Sequence, residues 1–199
     1  MPRKEITSST EEVEAIGTAG TAVKDGIINS LRGINNIEEE IVHLVRDTVS
    51  NTLQASSEVA AESFSITKDV VKGAISATEE VGTGLLLSTK SMAKGIVMGV
   101  GDVGGDVVAV AGQTAKGAVR GAAEVGADVA AVARKAVDGV VEATKEIGGN
   151  VEEAAKAAVE GAIEAAGSIG TTAVKSVKEV LMGVVVGIKE VLNAARPKE

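Results

Sequence analysis

The chain has no cysteine, tryptophan or tyrosine, one phenylalanine (Phe64), one histidine (His43), and prolines only at Pro2 and Pro197. Each absence removes a class of protein. Without cysteine there are neither disulfides nor thiolate metal sites, which fits a reducing compartment. A lone histidine leaves a catalytic dyad or a transition-metal site without its parts, so no catalytic, cofactor-binding or metal-binding residue is expected. Aromatic side chains dominate burial in most domains; a core here must be built from alanine, valine, isoleucine and glycine. Between the two prolines no residue type forbids helix. The most apolar run, Val180 to Ile188, is nine residues long, whereas a membrane-crossing helix needs about 20. The opening MPRKEITSSTEEVEA has no apolar stretch of the kind a secretory signal requires. The expected location is therefore cytoplasmic, or peripheral on a membrane or lipid surface. The 20 basic and 28 acidic residues are interspersed and sum to −8. That argues against nucleic acid as a partner, because phosphate binding needs a basic face, and no small-molecule substrate is indicated.

What the chain does have is a repeat. From residue 69 it divides without insertion or deletion into blocks of 22: DVVKGAISATEEVGTGLLLSTK, SMAKGIVMGVGDVGGDVVAVAG, QTAKGAVRGAAEVGADVAAVAR, KAVDGVVEATKEIGGNVEEAAK and AAVEGAIEAAGSIGTTAVKSVK, then EVLMGVVVGIKEVL. A fixed period of this size is the signature of a repeat architecture. The organisation reads as a polar, degenerate segment (1–24), divergent repeats (25–68), a regular array (69–192) and a polar tail (193–199). Block 25–46 carries larger apolar residues and fewer glycines, as terminal, capping repeats do.

Within a block, apolar residues recur at six stations, for example Ala115, Ala118/Val119, Ala122, Val125/Gly126, Val129 and Val132/Ala133. One station every ~3.67 residues is a helical period and not the alternation of a strand. The fold class is all-α: tandem amphipathic units forming long or glycine-kinked helices, or helices folded back as hairpins or a bundle. Charge follows the same frame. The last position of each block is basic (Lys24, Arg46, Lys68, Lys90, Arg134, Lys156, Lys178) except at Gly112. The twelfth is acidic except at Asn36 and Ser168. On a helix the basic row borders the apolar stripe, where its methylenes can lie along a hydrophobic surface, or it forms part of a solvated face.

Glycine is the difficulty. There are 24, and each inside a helix costs about 1 kcal/mol relative to alanine. A lone helix in water would not survive that, so something must cover the stripe. The fifth position is glycine in six consecutive blocks (Gly73, Gly95, Gly117, Gly139, Gly161, Gly183), and Gly95/Gly99, Gly117/Gly121 and Gly183/Gly187 are pairs four apart. Small residues at that spacing let helix backbones approach closely. The fourteenth-position glycines (Gly82, Gly104, Gly126, Gly148, Gly170) have a second reading as helix stops. In EIGGNVEE a helix would end at Gly148-Gly149 and restart at an Asn150 cap with Glu153 completing a capping box; Asp106, Asp128 and Thr172 stand at the equivalent place. That version gives helices of about 18 residues. The stripe keeps its phase across these glycines, which favours continuous or merely kinked helix.

Other motifs carry little. Gly99-Val-Gly101-Asp-Val-Gly104 matches a dinucleotide fingerprint, but it varies a helical block and follows no strand. His43 falls on the polar side; Glu79-Glu80 and Glu152-Glu153 splay on solvent faces; Met92, Met98 and Met182 are expected to pack. Ala143-Thr-Lys-Glu-Ile-Gly148, Ala115-Lys-Gly-Ala-Val119 and Val159-Glu-Gly-Ala-Ile-Glu-Ala-Ala-Gly-Ser168 resemble synuclein repeats. In kind the chain is similar to the synucleins, exchangeable apolipoproteins, perilipin-type lipid-droplet coats and some late-embryogenesis-abundant proteins. The resemblance implies a chain disordered or loosely helical in water that lies helical on lipid. The leading expectation is thus a non-enzymatic protein whose stripe rests on a lipid or membrane surface. The alternatives are a self-associating helical bundle or filament packed through Gly/Ala edges, and a desiccation-protective chain disordered in water.

Overall fold

The computed structural model describes residues 17–33, 37–56, 59–81 and 84–195, with side-chain surroundings outside 29–33, 60–61 and 185–195. Among the described residues there are eight helices and no strand: α1 (Thr18–Gly33), α2 (Ile37–Gln54), α3 (Val59–Val81), α4 (Leu85–Asp102), α5 (Val107–Glu124), α6 (Val129–Glu146), α7 (Val151–Ile169) and α8 (Thr171–Ala195). The polar segment 1–16 and the tail 196–199 lie outside the described residues.

Helices α4, α5 and α6 are stopped by the fourteenth-position glycines Gly104, Gly126 and Gly148, which corrects the expectation of continuous helix there; Gly82 lies outside the described residues. Gly104, Gly126 and Gly148 adopt φ of 70°, 68° and 71°, the left-handed conformation that glycine takes without a Cβ penalty. At each stop the second residue beyond the cap donates back to a carbonyl in the last turn: Gly105 to Val100, Ala127 to Ala122 and Gly149 to Thr144, at 2.9, 2.8 and 2.8 Å. The next helix opens at once on a carboxylate or amide cap. Asp106 accepts from the Ala109 amide, Asp128 from those of Ala130 and Ala131, and Asn150 from that of Glu153. A four-residue Val/Ile-Gly-Gly/Ala-Asp/Asn turn therefore separates 18-residue helices, and the chain reverses at each. The last turn differs. Gly170, at φ 147° and ψ 171°, alone separates α7 from α8, and Thr172 lies inside α8 and caps nothing. Threonine is a weaker cap than aspartate or asparagine.

The closest packing joins helices two apart in sequence: α1 with α3, α2 with α4, α4 with α6 and α5 with α7. Consecutive helices pack more lightly. The result is two layers, odd-numbered helices in one and even-numbered in the other, with the core between them. Side chains in that core shrink from α2 to α7, and α8 again buries Val177 and Leu181. Helix α2 buries Ile41, Val45, Val49 and Leu53, whereas α7 buries Ala154, Ala155, Ala158, Ala162, Ala165 and Ala166 around Gly161. Small residues allow the close approach that replaces aromatic volume.

The stripe faces inward. Ala115, Ala118, Val119, Ala122, Val132 and Ala133 are all buried in one hydrophobic core. The surface that covers the stripe is the chain itself. Met92 and Met98 are buried as expected, but Met182 on α8 is 70% exposed; the helix leaves it outside the packed face. No helix among the described residues is long and apolar enough to cross a membrane.

Candidate functional site

The glycines of the fifth position make seams between helices of one layer. A Cβ on Gly73 of α3 would strike the Gly20 carbonyl of α1, one on Gly139 of α6 the Lys90 carbonyl of α4, and one on Gly161 of α7 the Gly112 carbonyl of α5. On α4, a Cβ at Gly95 would lie 2.8 Å from the Val42 carbonyl oxygen, and one at Gly99 would lie 2.7 Å from that of Arg46, both on α2. These four seams bring main chain against main chain.

The α3/α5 seam is different. A Cβ on Gly117 would meet the Val71 side chain at 3.3 Å, and one on Gly121 would meet the tip of Ile75. Side chains, not backbone, fill these notches. The place opposite Gly117 is held by Val71; 22 and 44 positions on, in the closed α4/α6 and α5/α7 seams, stand Ala93 and Ala115, and 22 positions back, in the closed α2/α4 seam, stands Val49. A groove of about 880 Å3 lies along α3 and α5. Val71, Ile75, Gly117, Gly121 and Val125 line it, Lys68 and Lys72 stand on the α3 wall, and Lys116 and Arg120 on the α5 wall. Phe64, 43% exposed, sits at one mouth, and Glu79 and Glu124 at the other.

At Gly183 of α8 no atom lies within 4 Å of a built Cβ. Gly187 falls in the last turns of α8, whose surroundings lie outside the described residues.

The basic row is divided between the layers. Lys68 on α3 and Lys156 on α7 belong to the odd layer, Lys90, Arg134 and Lys178 to the even one. Lys68, Arg134, Lys156 and Lys178 are exposed; Lys90 is half-buried. Several members pair across helices. Lys24 lies 3.3 Å from Glu80, and Arg46 donates from Nε and Nη2 to Asp102 at 2.6 and 2.7 Å. Both pairs are 56 residues apart and join the basic row to the acidic row. Lys90 reaches Glu142 at 2.7 Å, Lys94 reaches Glu142 and Glu146 at 3.1 and 2.6 Å, and Lys116 reaches Glu164 at 2.6 Å. The other contacts are local and loose: Arg134 with Asp138 and Lys156 with Glu160, both at 3.9 Å. His43 is exposed, 3.8 Å from Glu39.

These bonds set the titration of the pairs. The hydrogen bond from Lys90, with that from Lys94, holds Glu142 below the usual carboxylate range. Its bond to Glu142 raises Lys90. Burial opposes the charge on Lys94, but hydrogen bonds to Glu146 and Glu142 outweigh it and raise its pKa. Arg46 is raised by its bond to Asp102, and Glu164 is lowered by its bond from Lys116.

A hollow of about 450 Å3 beside α2, α4 and α6 contains Arg46, Lys90, Lys94, Glu142 and Glu146; its charges satisfy one another. Around the α3/α5 groove they do not. Among the described residues, no carboxylate lies within 4.0 Å of Lys68, Lys72 or Arg120. Lys68 and Glu124 are 56 apart, the spacing of the Lys24 and Arg46 pairs, yet the open seam leaves that rung unmade. Sequence reasoning missed Lys72, Lys94, Lys116 and Arg120 because they stand outside the basic row. A usable signal was present: the exceptions Gly112 and Ser168 are themselves 56 apart. Base and acid are lost together, as partners across a seam would be. Among the described residues no group of three or more His, Asp or Glu is placed to hold a metal ion. No protein-family model matches this chain, and neither does any curated protein.

Proposed function

We propose that this is a non-enzymatic structural protein: a tandem array of 22-residue units that packs on itself through glycine seams and serves as a helical-repeat scaffold. The observation that carries the reading is the inward-facing stripe, with Ala115, Ala118, Val119 and Ala122 buried against other helices of the same chain. A lipid-binding chain of this composition needs that stripe free, because an interfacial helix holds on by its buried apolar face. Repeat arrays bury a continuous core by stacking neighbours and leave extended surfaces for partners.

Circular dichroism with and without anionic vesicles, joined to small-angle scattering of the same sample, tests the proposal. The expected outcome is high helicity and a compact particle in plain buffer, unchanged by lipid. An expanded coil that becomes helical only on vesicles removes the scaffold reading in favour of lipid binding.

A further inference from the structure

The α3/α5 groove combines three features found together nowhere else among the described residues. Its floor is apolar, formed by Val71 and Ile75, which fill the notches at Gly117 and Gly121. Both walls are basic, in a chain whose net charge is −8. Three of the four cations, Lys68, Lys72 and Arg120, have no carboxylate within 4.0 Å; Lys116 is bonded to Glu164, whose charge Arg120 also feels at longer range. We propose that this groove is a docking site for an acidic amphipathic helix of a partner protein.

The shape selects a helix. From Phe64 to Glu79 the α3 wall runs about 22 Å at 1.5 Å per residue, enough to seat roughly four turns. A helix laid in a groove between two others places one apolar edge on the floor and its flanking residues against the walls. Carboxylates on those flanks would meet Lys68 and Lys72 on one side and Lys116 and Arg120 on the other. The cations are spread along both walls instead of converging at one end, so they suit a polymer with repeated carboxylates better than a single anionic head. Val71 and Ile75 are nearly fully buried at the bottom of a cleft, where a flat bilayer cannot reach them. Complementary charge of this kind steers encounter and fixes register more than it adds raw affinity. The long-range repulsion between two acidic chains is screened beyond about 10 Å at 0.1 M salt.

The proposal rests on the packed-array reading, and the measurements separate the two. The probe is a fluorescein-labelled 18-residue synthetic helix with leucines along one edge and glutamates on both flanks, titrated with the full chain and followed by anisotropy. Its counterpart carries lysine in place of every glutamate. The glutamate probe is expected to bind, to weaken with added salt, and to lose about tenfold or more in affinity against the triple variant Lys68→Glu, Lys72→Glu, Arg120→Glu. The lysine probe is expected to be weak on the native chain and to gain on that variant. All three substitutions are at exposed positions, so the far-ultraviolet spectrum and melting temperature should stay close to native. Equal binding of both probes, indifference to the charge reversals, or binding of phosphatidylserine vesicles with no binding of the glutamate probe each overturns the proposal. An expanded coil in plain buffer defeats the array reading itself; a folded array that ignores the probe defeats only the groove.

Discussion

The seam between α4 and α6 and the seam between α3 and α5 use the same position of the repeat and reach opposite results. At the first, Gly139 lies against the Lys90 carbonyl with Ala93 beside it. At the second, Gly117 faces Val71, and the main chains stay apart. The glycine is constant, and what it meets differs: a carbonyl at one seam, a side chain at the other. Valine alone does not open a seam, since Val45 and Val49 face Gly95 and Gly99 across the closed α2/α4 seam. Lys68 and Glu124 are not paired across the α3/α5 groove, whereas across the closed even-layer seams Arg46 finds Asp102 and Lys94 finds Glu142 and Glu146.

The sharpest way to break this comparison is alanine at the two glycines. A Cβ at Gly139 would collide with a backbone carbonyl that cannot move without shifting α4. Overpacking of this kind costs about 1–3 kcal/mol, more than the roughly 1 kcal/mol that alanine gains over glycine in a helix. Gly139→Ala and Gly161→Ala should therefore lower the midpoint of urea unfolding. At Gly117 the contact is with a side chain, Val71 at 3.3 Å, which need give by only a few tenths of an ångström beside the groove, so Gly117→Ala should cost less than either. Equal losses at all three positions would mean that the seams do not differ.

The helical period, the need for a covering surface and the turn signature around Asn150 were all legible in the sequence. The stripe keeps phase across Gly126 and Gly148, as it would along a continuous helix. The phase persists for another reason. Helices α4, α5 and α6 are each 18 residues long and each is followed by a four-residue reversing turn, so α4 to α7 start at the same station of the repeat whether or not the axis continues. Periodicity alone cannot separate these, but the Gly-Gly/Ala-Asp/Asn cluster could, since it supplies both a left-handed stop and a cap. The stripe also said that Ala115 and Ala122 must be covered without saying by what. The answer lay in spacing between blocks, in rows 56 apart, and not in any single helix.

The turns give the next effect in size. Gly126 holds φ 68°, where an L side chain costs roughly 1–2 kcal/mol. Gly126→Ala should cost about that amount, and Asp128→Ala about 1 kcal/mol through loss of its two amide acceptor bonds. Thr172→Ala, at the same station of the last turn, should change stability by no more than a few tenths of a kcal/mol, because Thr172 lies within α8 and not at its cap. Urea unfolding of the three variants checks the ranking. A large loss at Thr172 would mean that α8 is capped like its predecessors.

The smallest effect is electrostatic and separates the filled hollow from the open groove. Glu142 is held below its ordinary value by Lys90 and Lys94. A depressed carboxylate contributes stability that is present above its unfolded pKa and is lost as pH falls through the folded one. The pair's contribution should thus be complete at pH 7 and disappear on acidification below the usual carboxylate range. Lys90 and Lys94 are raised, so their share is present below the usual lysine pKa and is lost only as pH climbs above it. Glu142→Gln should lower stability at pH 7 by less than about 1 kcal/mol, since ion pairs open to solvent are worth little. The loss should shrink as pH falls below the usual carboxylate range and the native carboxylate takes up its proton too. Glu124→Gln, at the unmade rung beside the groove, should change stability at no pH. A Glu124 effect as large as that of Glu142 would show that the Lys68 rung closes in solution and that the α3/α5 seam is shut.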